Sequence, residues 1–490
     1  MTSLPRPPLS TLFTSCLTLA KTTLTDCLTT LQSKQSESTR LSQNPGSRKK
    51  SNTELTDFGT FSKDGEEDEI DEFGLKSGDK ITDWQAGWNV TNAIQGMFLV
   101  SLPYAVLHGG YWAIIAMIGI AYICCYTGKI LVDCLYEDDS NGIRTRVRDS
   151  YMAIAKVGFG ERFGPMIVST AQLIELLMTC ILYIVLCGDL MVGTFPDSPI
   201  DSRSWMMLCG MILLPCAFLR NLSSVSTLSF YCTIAHVLIN VIVIAYCLAC
   251  IGQWGFSEVT FALDFETFPI SLGIIVFSYT SHIFLPTLEG NMAQPEQFGK
   301  MLDWSHVAAA AFKSGFGYVA FLTWRKSTLQ VITNNLPTIW KSLVNFILVL
   351  KAVLSYPLPY YAAADLIEKI AFPPDTPEES TKKIKIYDKE HTLTTIGCIY
   401  RVGLVLVTIL MAVTIPHFSI LMGFIGNFTG TMLSFIWPCY FHLKLKGDGL
   451  PLRNVVADCF IIFLGVTFGV IGIYDSGEAL VEAYAIGLPF

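Results

Sequence analysis

The sequence predicts an all-α polytopic membrane protein of about eleven transmembrane helices, built as a 5+5 inverted repeat with one helix added. Three observations predict it. The 490 residues are 51% hydrophobic and only 15% charged, where soluble domains carry about 25% charge. Several apolar runs exceed the roughly 18 residues that cross a bilayer. Two of the apolar segments, in corresponding halves, are interrupted by polar or Gly-bearing breaks followed by Pro103 and Pro286. Backbone unwound at membrane depth is tolerated only where it lines a cavity or is buried in protein.

Residues 1–80 are rich in Ser, Thr, Lys and acid, with the run Glu66-Glu67-Asp68-Glu69. That composition reads as a disordered tail, placed in the cytosol as a sorting or regulatory arm. Lys21 and Asp26 interrupt its only apolar stretch, which rules out a signal-peptide core there. Residues 81–490 then read as one transmembrane domain. Its expected spans are 84–107, 111–135, 166–193, 205–220, 227–252, 270–290, 305–324, 342–370, 394–415, 418–438 and 454–475. The first is the weakest by hydropathy, because Asn89, Asn92 and Gln95 dilute it.

Orientation follows from Lys and Arg in the short loops. With the N-terminus in the cytosol, the cytosolic loops hold Arg144, Arg146, Arg148, Lys156, Arg162, Arg220 and Lys300. They also hold Lys382, Lys383, Lys385, Lys389, Lys444, Lys446 and Arg453, against Arg203, Arg325 and Lys326 on the other side. The asymmetry predicts a cytosolic N-terminus and an extracellular or luminal C-terminus. The sequons at Asn89, Asn221 and Asn427 fall in spans or a cytosolic loop, so none is usable. Spans 1–5 and 6–10 are two sets of five. An odd number inverts the second set, so the broken span 1 corresponds to the broken span 6.

Composition also excludes. The net charge of −8 includes no basic stripe for nucleic acid. The 15 Cys are scattered through apolar segments with no zinc or disulfide spacing, and read as small packing residues. No nucleophile–base pair or metal cluster argues for an enzyme, and no cofactor is expected. Paired interrupted spans instead point to a secondary transporter, the partners being a small substrate, a coupling ion and the lipid bilayer.

The break in span 1 offers Asn92, Gln95, Gly96, Met97 and Phe98. Free N–H groups at a half-helix end suit a carboxylate, and free carbonyls suit an ammonium. A zwitterionic amino acid fits both; a ligand-free Pro kink is the plainer alternative. The break in span 6 offers Ser278, Tyr279, Thr280, Ser281 and His282 in a row. His282 is a candidate titrating group, or a residue bonded to a neighbouring helix. In span 3, Gln172, Glu175, Thr179 and Tyr183 share a helical face. Glu175 has no local cation, and a buried ion costs on the order of 2.5–3.5 kcal/mol. Lys313 in span 7 is the expected partner in at least one transport state, with structural pinning as the plainer role; Lys351 in span 8 is a second candidate cation, placed to stand in for a bound sodium ion. Lys129, near a cytosolic end, is read as snorkelling. Thr233, His236 and Asn240 in span 5 are read as interhelical hydrogen-bonding groups.

The segments WNVTNAIQGMFLVSLPYAVLHGGYW, CCYTGKILVDCLYE, RVRDSYMAIA, IELLMTCILYIVL, FPISLGIIVFSYTSHIFLPTLEGNM and SYPLPYYAA resemble vesicular members of the amino acid/auxin permease family. The resemblance runs from about residue 80 to 485. It implies a core similar to the bacterial leucine transporter fold. It implies loading of the inhibitory amino acids gamma-aminobutyrate (GABA) and glycine into synaptic vesicles, in exchange for luminal protons supplied by a vesicular proton pump. Chloride co-transport stays open, and the C-terminus becomes luminal. The alternatives are a plasma-membrane proton- or sodium-coupled symporter and a non-transporting receptor or scaffold. Two departures stand out: the vesicular pattern has Gly at the position of Ser101 and Gln at that of His282. Wider-family members often carry Gly-Ser-Gly where Gly96-Met97-Phe98 stands, so Phe98 narrows the expected cavity.

Overall fold

A computed structural model describes residues 81–94, 96–138, 142–218, 223–262, 264, 267–371 and 394–486. The tail, Arg220, Lys382, Lys383, Lys385, Lys389 and Gln95 lie outside the described residues. Described helices fall on each of the eleven expected segments. Six stretches are long and apolar enough to cross a membrane: Met97–Asp133, Phe163–Thr194, Thr338–Ile370, Thr395–Thr414, Phe418–Lys446 and Leu452–Glu482.

The first span is α1 (Asp83–Ile94), a 3-10 turn (Met97–Ser101) and the start of α2 (Leu102–Asp133). Pro103 sits in the first turn of α2, where its missing N–H would be unbonded anyway. Gly110 separates the first span from the second inside α2, at φ 52°. A hairpin of β1 (Tyr136–Asp138) and β2 (Arg144–Arg146) leads to the short α3 (Tyr151–Phe159). Then come α4 (Phe163–Thr194), α5 (Ser202–Leu213) and α6 (Ser223–Ala249) as spans 3 to 5. Asp201 caps α5 by accepting from the Ser204 N–H at 3.3 Å.

The sixth span is α7 (Phe268–Tyr279), an unwound stretch and α8 (Leu285–Asn291), with Pro286 in the first turn of α8. Span 7 is α9 (Phe298–Trp324). Span 8 is α10 (Thr338–Ser355) continuing into α11 (Pro357–Ala371). Span 9 is α12 (Thr395–Thr414). Span 10 is α13 (Phe418–Ile425), two π-helical turns (Gly426–Gly430, Met432–Ile436) and α14 (Trp437–Lys446). The last is α15 (Leu452–Ile486).

Backbone pairing fixes how the two broken spans run. Ile81, just before α1, bonds Asn291 and Ala293 at the end of α8 (2.9 and 2.8 Å). At the far end of span 1, the Tyr111 N–H donates to the Thr260 carbonyl at 3.2 Å, ahead of α7. The start of span 1 therefore lies beside the end of span 6, and its end lies beside the approach to span 6. The two are antiparallel, the relation an inverted repeat requires.

Buried polar contacts close the bundle at the Ile81 end. Glu289 of α8 is buried; it accepts from the Tyr136 hydroxyl and pairs with Arg146 Nε at 3.5 Å. Arg146 also donates to the Pro286 carbonyl at 2.8 Å, so the hairpin clasps α8. Arg401 of α12 pairs with Glu368 of α11 at 2.9 Å. Asp458 of α15 accepts from Tyr126 at 2.7 Å and contacts His442 at 2.6 Å. Lys129 pairs with Asp303 of α9 at 2.6 Å, half-exposed, so it is bonded as well as snorkelling.

The turn at Gly110 is a sharp test of this packing. A Cβ there would stand 2.2 Å from the Thr260 carbonyl oxygen, at a positive φ. Gly110→Ala is expected to cost about 3 kcal/mol and to lose most of the monodisperse protein. Size-exclusion profiles and melting of the detergent-solubilised variant measure this.

Candidate substrate site at the paired helix breaks

The two breaks meet. α1 ends at Ile94, and Gly96 (φ −49°, ψ −178°) turns the chain into the 3-10 segment. α7 ends at Tyr279, Thr280 is extended, and helix resumes at Leu285. Phe98 bridges the breaks. Its ring lies 5.0 Å from Phe277, edge to face, and 5.5 Å from Tyr183 of α4, stacked. Phe418 of α13 stacks at 6.1 Å. Four elements thus contribute one aromatic each to a cluster at the centre of the molecule.

Lys313 of α9 is fully buried at the second break. Its ammonium donates to the Ser278 carbonyl and, at 3.1 Å, to Ser278 Oγ. It also lies 3.8 Å from the centre of the Tyr279 ring. The last carbonyls of α7 have no intrahelical donors, and the helix dipole makes them the negative end. A cation there is bound by backbone, hydroxyl and ring together.

Glu175 of α4 is buried, with Thr429 of the π segment as its hydrogen-bond partner and Oε2 unpartnered. It forms no ion pair with Lys313 in this structure, which therefore shows the two anchored to different elements. Lys351 is buried against α6, where Cys232 Sγ lies 4.0 Å from its carbonyl oxygen. Of the other expected residues, Met97, Tyr279 and Ser281 are buried, while Gly96 and Thr280 are half-buried. Tyr279 Oη and Ser281 Oγ have no hydrogen-bond partner. Asn92 lies on α1, and neither its side chain nor that of Thr233 is among those described. His282 is buried with Nε2 2.9 Å from Thr127 Oγ1. Ser101 donates to the Gln330 carbonyl at 2.9 Å and lies 3.4 Å from Ser419 Oγ, tying the first break to α13.

Sequence reasoning missed Phe277, Phe418, Thr429 and the π segment. Gly426 and Gly430 flank Asn427 and Thr429 in an otherwise apolar span, a signal that was available. π turns are frequent at functional sites. Gly426 is needed for packing: a Cβ would meet the Gly273 carbonyl oxygen of α7 at 1.9 Å. Asn427 then bonds the Pro269 carbonyl at 3.0 Å.

The family described as transmembrane amino acid transporter protein matches residues 79–476. The chain belongs to this family. Family membership covers both breaks, α4, α9 and the π segment together. The chain is 49% identical over 418 residues to the vesicular inhibitory amino acid transporter of Homo sapiens, covering 84% of this chain and 79% of that protein. It is 47% identical over 414 residues to the vesicular GABA transporter of Caenorhabditis elegans, covering 83% and 82%. Among solved structures, a Na+-coupled sialic acid symporter in a substrate-bound outward-open state matches with a TM-score of 0.44 and 13% identity, covering 84% of this chain and 92% of that one.

Proposed function

We propose that this transporter loads the inhibitory amino acids GABA and glycine from the cytosol into synaptic vesicles, exchanging them for luminal protons. The observation that carries the reading is the meeting of two antiparallel broken spans at Phe98 and Phe277, with Lys313 bonded into the second break. Two 49% and 47% identical relatives bear vesicular names, and the chain covers most of each. The Ile81 end is then the cytosolic face, as the loop charges suggest, and the C-terminus is luminal.

Each half of a zwitterion has a place. The substrate carboxylate faces the N–H groups freed around Gly96 to Leu99, where the 3-10 turn begins. The ammonium faces the rings of Phe98, Tyr183, Phe277 and Phe418; a desolvated cation–π contact is worth about 2 kcal/mol. Tyr279 Oη and Ser281 Oγ supply further hydrogen bonds. Phe98 fills space that glycine leaves open in wider relatives, which favours short substrates. One pH unit supplies about 1.36 kcal/mol per proton, and 100 mV about 2.3 kcal/mol per charge. A neutral zwitterion exchanged for one proton draws on both. The pump that maintains the gradient is a functional partner; chloride co-transport is not required by this scheme.

Labelled GABA uptake into proteoliposomes with an acidic, positive interior tests the reading. Accumulation abolished by a proton ionophore is the expected result. Absence of accumulation of GABA, glycine and β-alanine in folded, correctly oriented protein overturns it.

A further inference from the structure

His282 and His306 form a buried pair whose hydrogen bonds define their tautomers. Thr127 donates its one hydroxyl proton to the Ile123 carbonyl at 2.9 Å. At the 2.9 Å contact, Thr127 Oγ1 must therefore accept from His282 Nε2–H. That leaves a lone pair on His282 Nδ1, which has no partner. His306 Nδ1 lies 3.0 Å from the Leu302 carbonyl, which can only accept, so the ring carries its proton there. His306 Nε2 is then a lone pair, also without a partner. Both rings are at least nine-tenths buried. The two are close enough for each charge to act on the other. Two adjacent buried acceptors with no donor are costly unless a proton or water joins them.

We propose that His282 and His306 act as a single proton-holding site that carries the proton between the second break and the Asp303 end of α9. The inference rests on the proton-exchange reading. Asp303, His306, Ala310 and Lys313 follow at spacings of three, four and three, so they lie along one face of α9. Lys313 meets the break at one end of this line. Asp303 is half-exposed at the other, paired with Lys129. The titratable or charged groups around the pair are Cys124 and Lys129 on α2, Tyr279 on α7, and Asp303 and Lys313 on α9. A proton arriving on His282 Nδ1 is shared with the lone pair of His306 Nε2. It passes to that nitrogen and leaves as hydronium to water at the Asp303 end. Only N–H bonds form and break, and both rings return to their starting tautomers.

The test uses full-length protein in proteoliposomes, with His306→Gln as the main variant and His282→Gln as the second. GABA uptake is measured against the pH of the cytosolic-facing side, alongside GABA–GABA counterflow with no pH gradient. Release of the proton to that side requires deprotonation there, so wild-type uptake falls as that side is acidified over about pH 7.5 to 5.5. Expected is a variant profile that changes less than about twofold over that range, with His306→Gln retaining counterflow within about threefold of wild type. Wild-type profiles in both variants overturn the proposal. Wild-type uptake that ignores an ionophore refutes proton exchange itself. The pair is then judged by imidazole nitrogen resonances in nanodiscs: two signals that titrate together and separate in His306→Gln support it, and independent signals overturn it.

Discussion

Lys313→Met abolishes GABA accumulation, lowering it by about two orders of magnitude, while the protein still assembles. The ammonium holds the Ser278 carbonyl and hydroxyl and faces the Tyr279 ring, all buried. A hydrogen bond to a charged group contributes about 1.5–3 kcal/mol, and a desolvated cation–π contact about 2. Methionine fills the space but leaves the negative end of α7 without its cation. Each 1.4 kcal/mol is about tenfold in an equilibrium, so a loss near 3 kcal/mol spans two decades. Lys313→Arg is expected to fail as well, because the side chain is fully enclosed and the guanidinium is larger. Uptake assays paired with melting curves separate a transport defect from unfolding. Uptake within about threefold of wild type in a folded Lys313→Met protein would show that the break needs no cation there.

The spans were legible because hydropathy is a local property: a run of apolar residues declares its own length. The breaks were legible for the same reason, since Pro103 and Pro286 each follow polar or Gly-bearing residues within one short stretch. Their antiparallel relation followed from counting, and the bonds from Ile81 to Asn291 and from Tyr111 to Thr260 match it. The span 3 face carrying Glu175 and Tyr183 was readable from helical spacing alone. What could not be read was which distant elements meet. Phe98, Tyr183, Phe277 and Phe418 lie in four separate segments, and nothing periodic in the sequence couples them. Lys313 was recognised as a buried cation without a local acid. Its partner proved to be a backbone carbonyl, a group every residue carries and no sequence pattern marks. The clasp of Tyr136 and Arg146 on Glu289 was hidden likewise, because the loop charges were read as a topological count rather than as individual contacts.

Glu175→Gln is expected to remove gradient-driven accumulation while leaving the folded protein and its melting temperature close to wild type. The carboxylate is buried in α4 beside Thr429, where the π turn displaces the side chains of α13 and α14 from regular helical register. One oxygen has Thr429; the other has no partner. A buried carboxylate so lightly bonded stays charged only at a cost on the order of 2.5–3.5 kcal/mol. It is therefore a group that can take and give up a proton as its surroundings change between transport states. Glutamine keeps the shape and the acceptor for Thr429 but holds no exchangeable charge. Its amide can donate, so stability is preserved or improved, which is the opposite of what a purely structural ion would give. GABA–GABA counterflow in the variant decides between roles. Counterflow retained with accumulation lost places Glu175 in coupling the substrate to the proton. Full ionophore-sensitive accumulation in Glu175→Gln would remove the carboxylate from the mechanism and leave Lys313 and the histidine pair to carry the charge.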